Sequence, residues 1–399
     1  MKRIYRPLLA ILCSVILLSG AFAMAGAKAE KFRVMVWTPG DQMKKVIRQY
    51  YTPTDPDENL VIKVLTDQAD KYANEVNRTL IKNAAAADAP DLFVVESEYV
   101  KRFADSRYTL DLTELGFTEE DFANVYPSVL EIGGQKNGVR KALSWQACPI
   151  VLVYRASLAE KYLGVQTPEE FQDLVKDNAT FLETARKLGE ASGGVCKMAS
   201  GEGDFVNFQQ WDRENEGQEM TLYQMYSQLK KEGLLQNKKP WTKGWYRGMN
   251  GQLETLCYFL PMWGIRGTLM GHCGVDTTEK MKEEQVERSS KRSGGTYGDW
   301  RVVSGPTHNV WGGTFITVNK MKYEQASDEK KAAIKELIWY LTLNDEFLVQ
   351  YAKDTKEFVS SKTAVRQLIN SGEMSFGILG GQDPYPVMDE AARDFHIVR

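Results

Sequence analysis

The chain has 399 residues, with 50 Lys and Arg against 53 Asp and Glu, a formal charge of −3, and 43% hydrophobic residues. That balance argues against nucleic acid or an anionic membrane surface as a partner. Three histidines in the whole chain (His272, His308 and His396) leave little material for a His-based metal site, and neither a metal nor a cofactor is expected.

The N-terminus is read first. Lys2, Arg3 and Arg6 form a positive patch, and Leu8 to Phe22 then runs without a charge. That run has the length of a signal-peptide core and is short for a span that must cross about 30 Å of hydrocarbon. Ala27-Lys28-Ala29 fits an A-x-A cleavage pattern with cutting before Glu30, and Ala21-Phe22-Ala23 is a second option. Residues 1–29 are therefore expected to be a cleaved signal peptide, with the mature protein periplasmic or extracellular. Cys13 follows Leu12 rather than a small residue, so no lipid attachment is expected. Removing the signal takes four basic residues and no acid, leaving 46 basic against 53 acidic residues and a formal charge of −7. About 370 residues remain, more than one hydrophobic core usually serves, which points to two domains.

The chain after the signal opens with a β/α rhythm. Phe32 to Trp37 reads as a strand, followed by the breaker Thr38-Pro39-Gly40. Asp41 is placed to cap a helix in which Met43, Val46, Ile47 and Tyr50 recur at helical spacing. Leu60 to Leu65 is a second strand, and Val76, Leu80, Ile81 and Ala84 mark the apolar face of the next helix. Asp91 to Val95 is a third strand, leading into a helix at Glu98 to Asp105. Strands alternating with helices imply right-handed crossovers and mostly parallel sheets flanked by helices, with ligands beyond the carboxyl ends of the strands. A second β/α region starts near Pro149 with the apolar strand Ile150 to Tyr154. Thr167-Pro168-Glu169-Glu170 has the form of a capping box with Pro at the first helical position, and Asp177 to Glu190 is another helix. Thr277 to Gly295 reads as a solvated loop or frayed helix. Ile334, Leu337, Ile338 and Leu341 mark an amphipathic helix.

Four cysteines, Cys148, Cys196, Cys257 and Cys273, lie beyond the signal. Their spacing fits no zinc pattern, and disulfides or buried free thiols are both open. Nothing marks a catalytic apparatus: neither Gly-x-Ser-x-Gly nor a phosphate-cradling Gly-x-x-x-x-Gly-Lys-Ser/Thr loop occurs, and no pair of acids stands out as a glycosidase pair. Asp55-Pro56-Asp57-Glu58-Asn59 lacks the glycine of a calcium loop and reads as a turn.

Tryptophan is the conspicuous residue, nine in the chain. Trp37, Trp145, Trp263 and Trp311 sit beside chain breakers rather than inside periodic stretches, whereas Trp241, Trp245 and Trp339 read as structural. A sugar ring presents an apolar face of C–H groups and an edge of hydroxyls, so its site wants flat aromatic platforms with carboxylates, amides or guanidinium groups around them.

Several segments together resemble the extracellular solute-binding proteins of carbohydrate ABC importers, the class that includes maltose-binding protein. They are Asp91 to Val100, Pro149 to Arg155, Tyr258 to Gly264, Gly298 to Pro306 and Trp311-Gly312-Gly313-Thr314-Phe315. The resemblance implies a type II periplasmic-binding fold of two α/β lobes with the ligand in the cleft between them. It implies lobe 1 as 30–147 plus 312–357 and lobe 2 as 148–311 plus 358–399, with crossings near Ala147, Trp311 and Glu357. It places an acidic sugar-binding group at Glu98 and a stacking aromatic at Trp263, and ligand-facing neighbourhoods at Trp37, Trp145 and Trp311. It implies a monomeric, non-enzymatic protein that hands a carbohydrate to membrane permease subunits. A secreted carbohydrate-active enzyme, and the same fold carrying a non-sugar solute, are the competing readings.

Overall fold

The computed structural model describes residues 33–394, apart from 54–55, 136, 202, 206–218 and 275–281. The expected signal peptide, His396 and part of the Thr277 to Gly295 stretch lie outside the described residues. Nine strands are present among those described: β1 Val34–Thr38, β2 Leu60–Val64, β3 Leu92–Glu96, β4 Ala142–Ser144, β5 Val151–Arg155, β6 Lys197–Ala199, β7 Thr255–Leu260, β8 Trp300–Val303 and β9 Thr314–Val318. They form two sheets, ordered β2-β1-β3-β9-β4 and β6-β7-β5-β8, with helices packed around both.

The β/α rhythm at the start of the chain gives β1, β2 and β3 as a parallel group. The expectation of mostly parallel sheets needs correction elsewhere. β9 runs antiparallel to β3 and β4, and β5 runs antiparallel to β7 and β8, leaving only β6–β7 parallel in the second sheet. β9 and β5 each reach their sheet directly from the other one, without the helical crossover that enforces parallel pairing.

Local signals account for most helix boundaries. Thr167 accepts from the Glu170 amide at 3.2 Å while Glu170 accepts from the Thr167 amide at 3.2 Å, closing the capping box of the helix Pro168–Leu174. The helix Gln42–Tyr50 buries Met43, Val46, Ile47 and Tyr50 as the spacing requires. Asp41 stands at its N-terminus but makes no cap hydrogen bond, pairing instead with Lys45 at 2.8 Å. In the helix Ala69–Asn83 the buried face is Tyr72, Ala73, Val76 and Leu80, and Ile81, expected on that face, is exposed at its edge. The charged stretch near residue 290 carries a helix, Glu283–Ser293, held to the core through Val286. All four cysteines are buried free thiols.

One buried ion pair ties the first sheet to its covering helix. Asp91 Oδ2 accepts from the Met35 amide at 2.8 Å and pairs with Lys330 Nζ, at the start of the helix Asp328–Thr342, also at 2.8 Å. Removing either partner would strand a buried charge, which typically costs about 3–5 kcal/mol.

Three connecting stretches lie side by side between the sheets. The Ala147 amide donates to the Phe358 carbonyl at 3.2 Å, the Trp311 amide to the Cys148 carbonyl at 3.0 Å, and the Ile150 amide to the Asn309 carbonyl at 2.8 Å. The segment beyond Glu357 touches both units: the helix Lys362–Ser371 packs on Asp345–Thr355, and Tyr385–Asp394 contacts both the helix Pro127–Ile132 and β5.

Candidate functional site

A cleft of about 800 Å³ opens between the sheets at these connections. One wall comes from the carboxyl ends of the first sheet's strands. β3 runs as a fully buried apolar strand until Glu96, and the helix Ser97–Ala104 begins on the next residue, so Glu96 and Glu98 are delivered together to the cleft. The Ser97 amide donates to the Gly313 carbonyl at 3.0 Å, which ties this turn to the start of β9. Burial, reinforced by the neighbouring Glu98 charge, pushes the Glu96 carboxyl up to about 7. Asp41, Gln42 and Lys45 from the first turn of Gln42–Tyr50 form the rim.

The opposite wall is aromatic and cationic. β7 ends at Leu260, and after Pro261 the chain turns into a π-helical segment, Gly264–Leu269, a wide-turn geometry often found at functional sites. Trp263, immediately before it, and Arg266 within it line the cleft. Trp263 Nε1 donates to the Trp311 carbonyl at 2.8 Å, and the two rings meet edge to face at 4.7 Å. The approach depends on Gly312, whose φ of +94° suits only glycine and where a Cβ would sit 2.7 Å from Trp263 Nε1. Trp241 completes the cluster, nearly parallel to Trp263 with centroids 6.2 Å apart and 6.0 Å from the Trp311 ring. Trp241 holds φ +64°, a left-handed conformation that costs a bulky residue about 1–3 kcal/mol, and the residue is 53% exposed.

At the junction of the walls Arg266 grips Glu357, with Nη2 at 2.6 Å and Nε at 3.1 Å from the same carboxylate oxygen. Glu357 is 1% exposed, and its other oxygen, Oε1, has no hydrogen-bond partner. Tyr385 Oη donates to the Glu357 carbonyl at 2.5 Å and fixes the backbone there.

The expected site residues divide cleanly. Glu98, Trp263 and Trp311 line the cleft; Trp37 and Trp145 do not. Trp37 is 4% exposed in β1 beneath Tyr72, whose hydroxyl donates to the Trp37 carbonyl at 2.7 Å. Trp145 is fully buried just past β4, and the next residue, Gln146, faces the cleft in its place. Successive side chains of an extended chain point to opposite faces, so a breaker nearby does not say which of two neighbours faces out. The expected site residues do not include Trp241, Glu96, Gln146, Arg266 or Glu357, although Glu357 is expected at a crossing and Glu96 at a strand end. For Trp241 a signal existed: it follows Pro240, the same breaker-flanked setting that marked the other four tryptophans.

Among the described residues no group of three or more His, Cys, Asp or Glu could hold a metal ion. Two α/β units flank this aromatic and acidic cleft, and residues 36–251 match the bacterial extracellular solute-binding protein family. The chain belongs to that family. A sequence comparison with curated proteins finds no match. Solved structures similar in fold include an extracellular solute-binding protein of family 1, at 15% identity and TM-score 0.67, covering 92% of this chain and 88% of that one. Another is an ABC transporter associated binding protein from B. animalis subsp. lactis in complex with β-1,6-galactobiose, at 19% identity and TM-score 0.59, covering 91% and 86%. A third is the galacto-N-biose/lacto-N-biose I-binding protein from Bifidobacterium longum with lacto-N-biose, at 15% identity and TM-score 0.58, covering 90% and 84%.

Proposed function

We propose that this chain is the solute-binding component of an ABC importer, that it captures a sugar or oligosaccharide in the cleft, and that it delivers the sugar unchanged to membrane permease subunits. The observation that carries this reading is that the clustered Trp241, Trp263 and Trp311 rings line one cavity together with Glu96 and Glu98. The ligands of the two similar sugar-bound proteins support it. Trp263 stacks on a ring face and Glu98 accepts from its hydroxyls. In this reading lobe 1 comprises 30–147 plus 312–357 and lobe 2 comprises 148–311 plus 358–399. The three stretches near Ala147, Trp311 and Glu357 act as the hinge. Ligand drives closure because only the closed form gains contacts from both walls, the condition for any ligand-driven shift between states. The protein is exported by a cleaved signal peptide, acts as a monomer and performs no chemistry on its ligand.

A thermal-shift screen against mono- and oligosaccharides tests the reading. A true ligand at about 100 times its dissociation constant adds about 2.7 kcal/mol of stability. Scattering should show compaction with that sugar, and chromatography should recover it intact. Recovery of hydrolysed sugar at an enzymatic rate would replace this reading with that of a secreted carbohydrate-active enzyme.

A further inference from the structure

The charges around the cleft do not cancel. Asp41 is paired with Lys45 and Glu357 with Arg266, which uses both cations of the lining. Glu96 and Glu98, two residues apart at the end of β3, have no cationic partner among the described residues. Their mutual repulsion is part of what raises the Glu96 carboxyl to about 7. A second observation points the same way. Glu357 is 1% exposed, lines the same cavity, and keeps Oε1 without any donor. The cleft thus holds two carboxyl groups without a cationic partner and a third, Glu357, one of whose oxygens has no donor. Beside them stand Trp rings, whose π faces attract cations as well as C–H surfaces.

We propose that the solute is a sugar bearing a free ammonium group, seated with that group between the Glu96 and Glu98 carboxylates and its ring against Trp263. This rests on the sugar reading above and narrows it to amino sugars. The ammonium supplies the missing positive charge and up to three donors, whereas a hydroxyl brings one donor and no charge. An N-acetyl group removes the charge and adds bulk, so it is discriminated against at the same position. A site whose buried polar groups go unpaired with the wrong ligand rejects it strongly.

The test is calorimetry at pH 7 on the purified protein. It uses matched triplets carrying amino, N-acetylamino or hydroxyl substituents at one ring carbon, as gluco- and galacto-configured mono- and disaccharides. The amino member should bind at least tenfold tighter than its hydroxyl counterpart, and that ratio should shrink at high salt. Glu96→Gln and Glu98→Gln, checked for an unchanged melting cooperativity, should each cut the ratio several-fold. Equal affinity across a triplet, or preference for the neutral member, overturns the ammonium assignment and leaves the sugar reading standing. Binding of spermidine with no sugar in the panel bound overturns both. A ratio unmoved in both glutamate variants overturns the placement of the ammonium.

Discussion

The two walls of the cleft use the same residue types in opposite ways. On the first-sheet side, Trp37 and Trp145 are buried in the core and the cleft receives Glu96, Glu98 and Gln146. On the second-sheet side, Trp241 and Trp263 stand in the cleft while Trp245, 1% exposed, lies edge to face behind Trp241 at 5.2 Å. One wall carries acceptors on a strand-to-helix turn, the other carries aromatic rings at the entry to a π-helical segment and on a strained loop. Neither wall alone offers both a stacking face and a hydrogen-bonding edge. In the proposed reading recognition needs both, and the Arg266–Glu357 pair stands at their junction.

The contrast is sharpest for tryptophan. Trp145→Ala should cost about 3–5 kcal/mol of stability in chemical denaturation, because it empties a fully buried indole site. The folded fraction of that variant should still bind ligand, since Trp145 is outside the lining. Trp263→Ala should show the reverse pattern, with a small change in denaturation midpoint. Its affinity loss should be about 2 kcal/mol, roughly 30-fold by calorimetry. If both variants lost affinity equally, the division between core and cleft tryptophans would be broken.

A smaller change probes how the aromatic wall is built. Gly312→Ala places a methyl 2.7 Å from Trp263 Nε1 at a φ of +94°. It should displace that indole and cost about 1–2 kcal/mol of binding, with Trp263 fluorescence shifting in the free protein. An unchanged spectrum and affinity would mean that the Trp263–Trp311 contact does not position the platform.

The acidic wall gives the smallest effect, and its sign follows from Glu96. In the folded chain the Glu96 carboxyl is pushed up to about 7, whereas a free glutamate carboxyl titrates near 4.5. Between those values the folded state binds more protons than the unfolded one. Glu96's contribution to stability is therefore fully present below about pH 4.5 and is lost as the pH rises through about 7. Glu96→Gln removes that decline, so its melting temperature should fall less than the parent's from pH 5 to 8. Asp204, likewise pushed up to about 7 by burial, leaves a residual slope in both proteins. Superimposable profiles would show that Glu96 is not held out of water by this wall.

Local patterns in the sequence determined much of this molecule: the β/α rhythm from β1 to β3, the capping box at Thr167, the buried face of Gln42–Tyr50 and the acidic turn at Glu98. These depend on helical or strand periodicity and on caps a few residues long, which a linear chain displays directly. The tertiary structure alone decided the direction of β5 and β9, because antiparallel pairing there follows from which sheet the chain has just left. It also decided which tryptophans meet. Trp241, Trp263 and Trp311 converge from three separate segments, and Arg266 finds Glu357 across 91 residues. Whether Trp145 or Gln146 faces the cleft is a matter of strand rotation, set by packing against the sheet and invisible to any count of neighbouring breakers.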